Sequence, residues 1–115
     1  MGKNVEIIRG TSNQFDITIS DVKQAKYVLS SNEKILFGVK RKPTDAEYVF
    51  LKTVLASDGT DGVYPVMIDP ADTEGLAFGK YWYDAGLESG EDYHNIIEPS
   101  VFEIRPNITK RGDGT

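Results

Sequence analysis

His94 is the single histidine in the chain, and cysteine is absent. Thiol catalysis, disulfides and cysteine-built zinc modules are therefore excluded. A nucleophilic triad or a metal site needs a second group at a defined spacing, and His94 has none. Next to the turn Glu88-Ser-Gly-Glu-Asp92 it reads as a surface or strand-edge imidazole. Carboxylates gather in the turns, at Asp58, Asp61, Asp69, Asp72, Glu74, Glu88, Glu91 and Asp92. Asp58-Gly-Thr-Asp-Gly62 faintly resembles a calcium loop, but the later bidentate glutamate is missing, so a solvated turn is expected. The pairs Asp69/Asp72 and Glu88/Glu91 have the composition of a two-carboxylate hydrolase, yet no neighbour would raise the pKa of one member. After Gly10 no phosphate-binding glycine loop follows. These residues predict no enzyme: no catalytic, cofactor-binding or metal-ligating set is expected, and no cofactor.

The aromatic residues offer a different chemistry, that of contact. In Asp69-Pro-Ala-Asp-Thr-Glu-Gly-Leu-Ala-Phe-Gly-Lys-Tyr-Trp-Tyr-Asp84, Leu76, Gly79 and Tyr81 have the spacing of a crossover between two sheets. The leucine packs under the loop, the glycine allows the bend, and the tyrosine hydroxyl bonds back to the loop. Tyr81, Trp82 and Tyr83 are consecutive, so on a strand Trp82 faces opposite to the tyrosines. With Tyr81 inward, Trp82 points outward, covered by its own loops or by another subunit. Trp82, Tyr83, Tyr64 and Tyr93 are the candidate interface residues.

Strands must position these groups. Phe15, Ile17 and Ile19 alternate with Asp16 and Thr18, and Ile35, Phe37 and Val39 do the same within 34–40. Gly38, on the opposite face, marks a close approach or a bulge. Residues 47–55 are partly apolar on both faces, as in a central strand. Pro65 makes 63–68 an edge or bulged strand. Further strands are expected at 80–87, 93–97 and 100–105. Turn clusters recur roughly every ten residues, which is the rhythm of a sandwich. A short helical turn fits 69–74, and 22–29 suits a helix and an extended segment equally. The expected fold is all-β: an immunoglobulin-like antiparallel β-sandwich of about seven strands over residues 1–106, with a flexible tail at 107–115.

The 115 residues suffice for one core, and a net charge of -5 argues against nucleic acid and anionic membrane partners. The first apolar run is short and broken by Glu6, so no cleaved leader is expected and synthesis is assigned to the cytoplasm. Without a leader the sequon Asn107-Ile-Thr109 has no access to glycosylation. Arg111-Gly-Asp113 spells the integrin tripeptide, a match that arises often by chance.

Ile7-Ile-Arg-Gly-Thr-Ser-Asn-Gln-Phe-Asp-Ile-Thr-Ile19, Lys34-Ile-Leu-Phe-Gly-Val-Lys40, the set Leu76, Gly79, Tyr81, Tyr83 and Asp84, and Ser100-Val-Phe-Glu-Ile104 together resemble small immunoglobulin-like proteins of phages and prophages of Gram-positive bacteria. The chain is most similar among them to the N-terminal domain of baseplate upper proteins. The resemblance spans most of residues 5–106, and its motifs are structural. It implies a virion building block of tail or baseplate, with other phage structural proteins or copies of itself as partners. Baseplate upper proteins continue into a long receptor-holding region. This chain is expected to be a stand-alone tail or neck component, or a piece of something longer. The rival expectation is a carbohydrate-binding module for a cell-wall polysaccharide, using Trp82 with the loop acids around Asp58 and Asp92.

Overall fold

The computed structural model describes residues 4–19, 27–110, 112 and 114. Their strands are β1 (Val5–Ile8), β2 (Asn13–Thr18), β3 (Glu33–Lys40), β4 (Phe50–Leu55), β5 (Val63–Ile68), β6 (Gly79–Ser89) and β7 (Asp92–Arg105). One short helix, α1 (Pro70–Thr73), precedes β6. Five strands form a sheet in the order β1-β7-β6-β3-β4, and β2 and β5 form a second sheet. The fold is an all-β sandwich. Within the larger sheet β7-β6-β3-β4 follows the G-F-C-C′ order of an immunoglobulin sheet, and β2-β5 occupies the place of its B-E pair.

The sandwich is not wholly antiparallel. β1 runs parallel to β7, with Val5 opposite Phe102 and Ile8 opposite Arg105. A hairpin forces antiparallel pairing, but β1 leads into β2 of the other sheet, so no such constraint acts on it.

The interior follows from period-two alternation. Ile35, Phe37 and Val39 of β3, Tyr81, Tyr83, Ala85 and Leu87 of β6, and Phe102 and Ile104 of β7 are all buried. Ile17 of β2 and Tyr64, Val66 and Ile68 of β5 close over them. At the centre Phe37 and Tyr83 stack at 5.2 Å between ring centroids. Phe15 and Phe102 meet Tyr83 edge-on at 5.8 and 6.2 Å.

Two strands differ markedly from those expected. β4 begins at Phe50 and is an edge strand, not a central one. Its second apolar face is Leu51 and Leu55, which point to solvent. The strands expected at 93–97 and 100–105 are one strand, β7. Pro99 lies where the β6–β7 register shifts between Tyr83 and Ala85, so its missing N–H costs no ladder bond. Pro65 pairs with Asp16 across the β2–β5 ladder. Having no N–H, it fits only a non-hydrogen-bonded pair, which turns its nitrogen to the open edge of β5.

The 22–29 segment lies mostly outside the described residues. Its end is tied down, because Tyr27 N donates to Ile19 O at 2.7 Å. Of the tail, residues 107–110 carry no strand or helix. Among the described residues no helix is long and apolar enough to cross a membrane.

Candidate functional site

The crossover into β6 sets the geometry of the outer face. Leu76 packs against the core, and Gly79 has φ +125°, a conformation open to glycine and strained for other residues. Tyr81 is buried, and its hydroxyl donates to Ala77 O at 2.9 Å. Two arginines brace the loop. Arg9 donates to Leu76 O at 3.2 Å and lies 4.2 Å over the Phe78 ring. Arg41 donates to Lys80 O at 3.0 Å and lies 4.6 Å over Tyr81. With Tyr81 fixed inward, the pleat turns Trp82 to the opposite side of the sheet.

There Trp82 borders a cleft of about 120 Å³, lined also by Lys40, Tyr48, Asp84 and Tyr93. Two glycines make the room. A side chain on Gly38 would meet the Tyr48 ring at 2.5 Å, and one on Gly86 would collide with the Tyr93 phenol. Tyr48 and Tyr93 are thereby set over bare backbone of β3 and β6 while remaining 51% and 53% exposed. Lys40 Nζ sits 4.8 Å over the Tyr48 ring. Asp84 accepts a hydrogen bond from Asn95 Nδ2 at 3.1 Å. Burial first, and then the Asp84 carboxylate, raise the Tyr93 phenol above its ordinary pKa, so it stays a donor.

Of the four candidate interface residues, Trp82 and Tyr93 reach this face. Tyr64 does not, and Tyr83 borders the cleft while its ring is packed in the core. At 1% and 2% exposure they are core residues with no surface to offer a partner. Tyr64 instead accepts the Leu29 backbone N–H on its hydroxyl at 2.6 Å, which satisfies a buried donor. The loop acids proposed to accompany Trp82 are not brought to it. Asp58 accepts the Leu55 N–H at 2.9 Å at the start of a 3₁₀ turn, and Asp92 faces Ser89 at the tip of the β6–β7 hairpin. The residues that do converge, Lys40, Tyr48 and Asp84, were missed. Their sequence signal was faint: glycines at the outward positions 38 and 86 of two strands, each leaving space for a ring from elsewhere.

Several other titratable groups have structural duties. Asp72 Oδ2 accepts the Asp69 N–H at 2.7 Å and caps α1. Lys52 of β4 reaches Asp72 at 2.7 Å and Asp69 at 3.7 Å, tying the edge strand to the helix. Glu88 pairs with Lys34 at 3.5 Å, Glu91 is exposed at the hairpin tip, and His94 is exposed on β7. Buried Glu33 accepts the Ser30 N–H at 2.9 Å and the Tyr27 hydroxyl at 2.8 Å. Those bonds hold its carboxyl below the usual range, and the same bond to Glu33 raises the Tyr27 phenol. Among the described residues no three metal-ligating side chains cluster. Asn107 of the sequon accepts from Arg9 Nε at 3.1 Å and donates to Thr109 O at 2.8 Å. Arg111 and Asp113 lie outside the described residues. Set against known proteins, the chain matches no family model and no curated sequence.

Proposed function

We propose that the chain is a non-enzymatic structural or adaptor module of a phage or prophage tail or baseplate, acting by docking onto a neighbouring particle protein or another copy of itself. One observation supports this reading most. β4 is an edge strand whose outward residues Leu51 and Leu55 are exposed beside the half-exposed Tyr48. An open edge with an apolar row offers both main-chain hydrogen bonds and burial to a docking strand. The inward charge of Lys52, held by Asp72, keeps that edge from indiscriminate pairing. The stretches that resemble phage immunoglobulin-like proteins supply the setting, and with it a virion location after synthesis in the bacterial cytoplasm.

The experiment is mass spectrometry of particles purified from an induced host. The chain is expected at a fixed copy number per particle. It should be lost from particles when Leu51→Glu and Leu55→Glu are combined, with the soluble variant still folded by circular dichroism. Parent particles that lack the chain, or particles that keep the double variant at the parent's copy number, would end the reading.

A further inference from the structure

We propose that the outer-face cleft bordered by Trp82, Tyr48 and Tyr93 binds one pyranose ring of a neutral polysaccharide. The inference does not need the particle reading: the cleft borders the β4 edge at Tyr48, but its recognition rests on Trp82, Asp84 and Tyr93 rather than on Leu51 and Leu55.

Size comes first. At about 120 Å³ the cleft lies well below the roughly 300–1,000 Å³ of pockets that enclose a whole small molecule. It can grip one ring of a longer ligand.

Its walls come next. Three aromatic side chains border the space, and Tyr48 and Tyr93 keep half their surface open to solvent. Aromatic surface of this kind favours a flat apolar face on the ligand, such as the C–H face of a sugar.

The rim then selects among flat ligands. Sugar hydroxyls both donate and accept. The rim offers an acceptor in Asp84 and donors in the Lys40 ammonium and the raised-pKa Tyr93 phenol. Among the described residues Asp84 accepts one side-chain hydrogen bond, from Asn95 to Oδ2, which fixes the carboxylate and leaves its other oxygen for a ligand. Lys40 makes no ion pair among the described residues, and its ammonium already occupies the cation position over Tyr48. That disfavours an external ammonium ligand. A nucleobase would stack equally well, but its phosphates would meet a chain of net charge -5. A proline-rich peptide needs successive grooves, and this is a single dent.

Trp82 is the only tryptophan, so tryptophan fluorescence reads this site alone. The whole chain would be titrated with chitotetraose, cellotetraose, maltotetraose and mannotetraose, and printed on a glycan array. The expected result is a saturable emission change with at least one neutral glycan, at a Kd on the order of 1 mM or tighter. Tyr93→Ala and Asp84→Asn should each weaken it about tenfold or more. Met67→Ser, on the exposed face of β5, should leave it unchanged. Absence of glycan binding across titrations and array would overturn the proposal. So would binding that survives both cleft variants, or a Trp82 response only to a protein partner. The particle experiment has its own readout, and either proposal can fail without the other.

Discussion

β6 carries two aromatic environments back to back. On its inner side Tyr83 joins Phe15, Phe37 and Phe102 in ring contacts of 5.2 to 6.4 Å, and Phe50 extends the cluster. On its outer side Trp82 stands with Tyr48 and Tyr93. Among the described residues every ring–ring contact lies on the inner side, whereas the outer tyrosines lie over glycine backbone and Tyr48 lies beneath Lys40. Residue type is the same on both sides, and the neighbours differ. Rings that pack on rings hold the sheets together. Rings set over glycines and left half open have contact surface unspent, and that is where binding is to be sought.

The sharpest way to break this contrast is to truncate an inner ring. Phe102 is fully buried and touches three other rings. Phe102→Ala should cost about 3–5 kcal/mol in urea unfolding, because transfer and cavity terms add. A loss below about 1 kcal/mol would show that the inner cluster is not the core. Tyr64→Phe is a finer cut on the same side. It keeps the ring but leaves the buried Leu29 N–H without its 2.6 Å acceptor, and it should cost about 1–3 kcal/mol.

The bond between Tyr27 and Glu33 gives the inner side a pH signature. Glu33 has a folded pKa below its ordinary value near 4.5, so its stabilisation is complete above that pH and is lost as pH falls through the folded value. Tyr27 has a raised folded pKa, so its share is complete below about pH 10 and is lost as pH rises through the folded value. Thermal melts should therefore fall at both ends, and Glu33→Gln should flatten the acid limb. An acid limb unchanged by that substitution would remove Glu33 from the account.

Most of the inner half of the contrast was legible in the sequence, and of the outer half only the outward turn of Trp82 and the close approach at Gly38 were. Alternation at Phe15/Ile17 and Ile35/Phe37/Val39, and the Leu76–Gly79–Tyr81 spacing, follow from local rules that depend on one strand at a time. Tyr64 and Tyr83 were misplaced because a tyrosine tolerates both core and surface, and the choice depends on the facing sheet. The cleft combines Tyr48 from the β3–β4 loop, Trp82 and Asp84 from β6, and Tyr93 from β7. No window of sequence holds that set. The parallel β1 and the continuous β7 were hidden for the same reason, since register and strand partnership are long-range facts.

The smallest expected effect on stability bears most directly on the outer side. Gly86 does not have a positive φ, and the three atoms nearest a β-carbon there all belong to the Tyr93 phenol. The far end of a half-exposed tyrosine can swing away. Gly86→Ala should thus leave stability within about 1 kcal/mol of the parent, since the entropy gained in the unfolded state offsets the displaced contact. The same substitution should move Tyr93 out of the cleft, restore a more ordinary phenol titration by spectrophotometry, and weaken any ligand response of Trp82. Phe102→Ala would do the reverse, lowering stability while a folded remnant keeps its Trp82 response. If Gly86→Ala instead destabilised the fold as deeply as the inner truncation, the Tyr93 ring would be part of the structural core, and the two sides of β6 would differ in exposure but not in role.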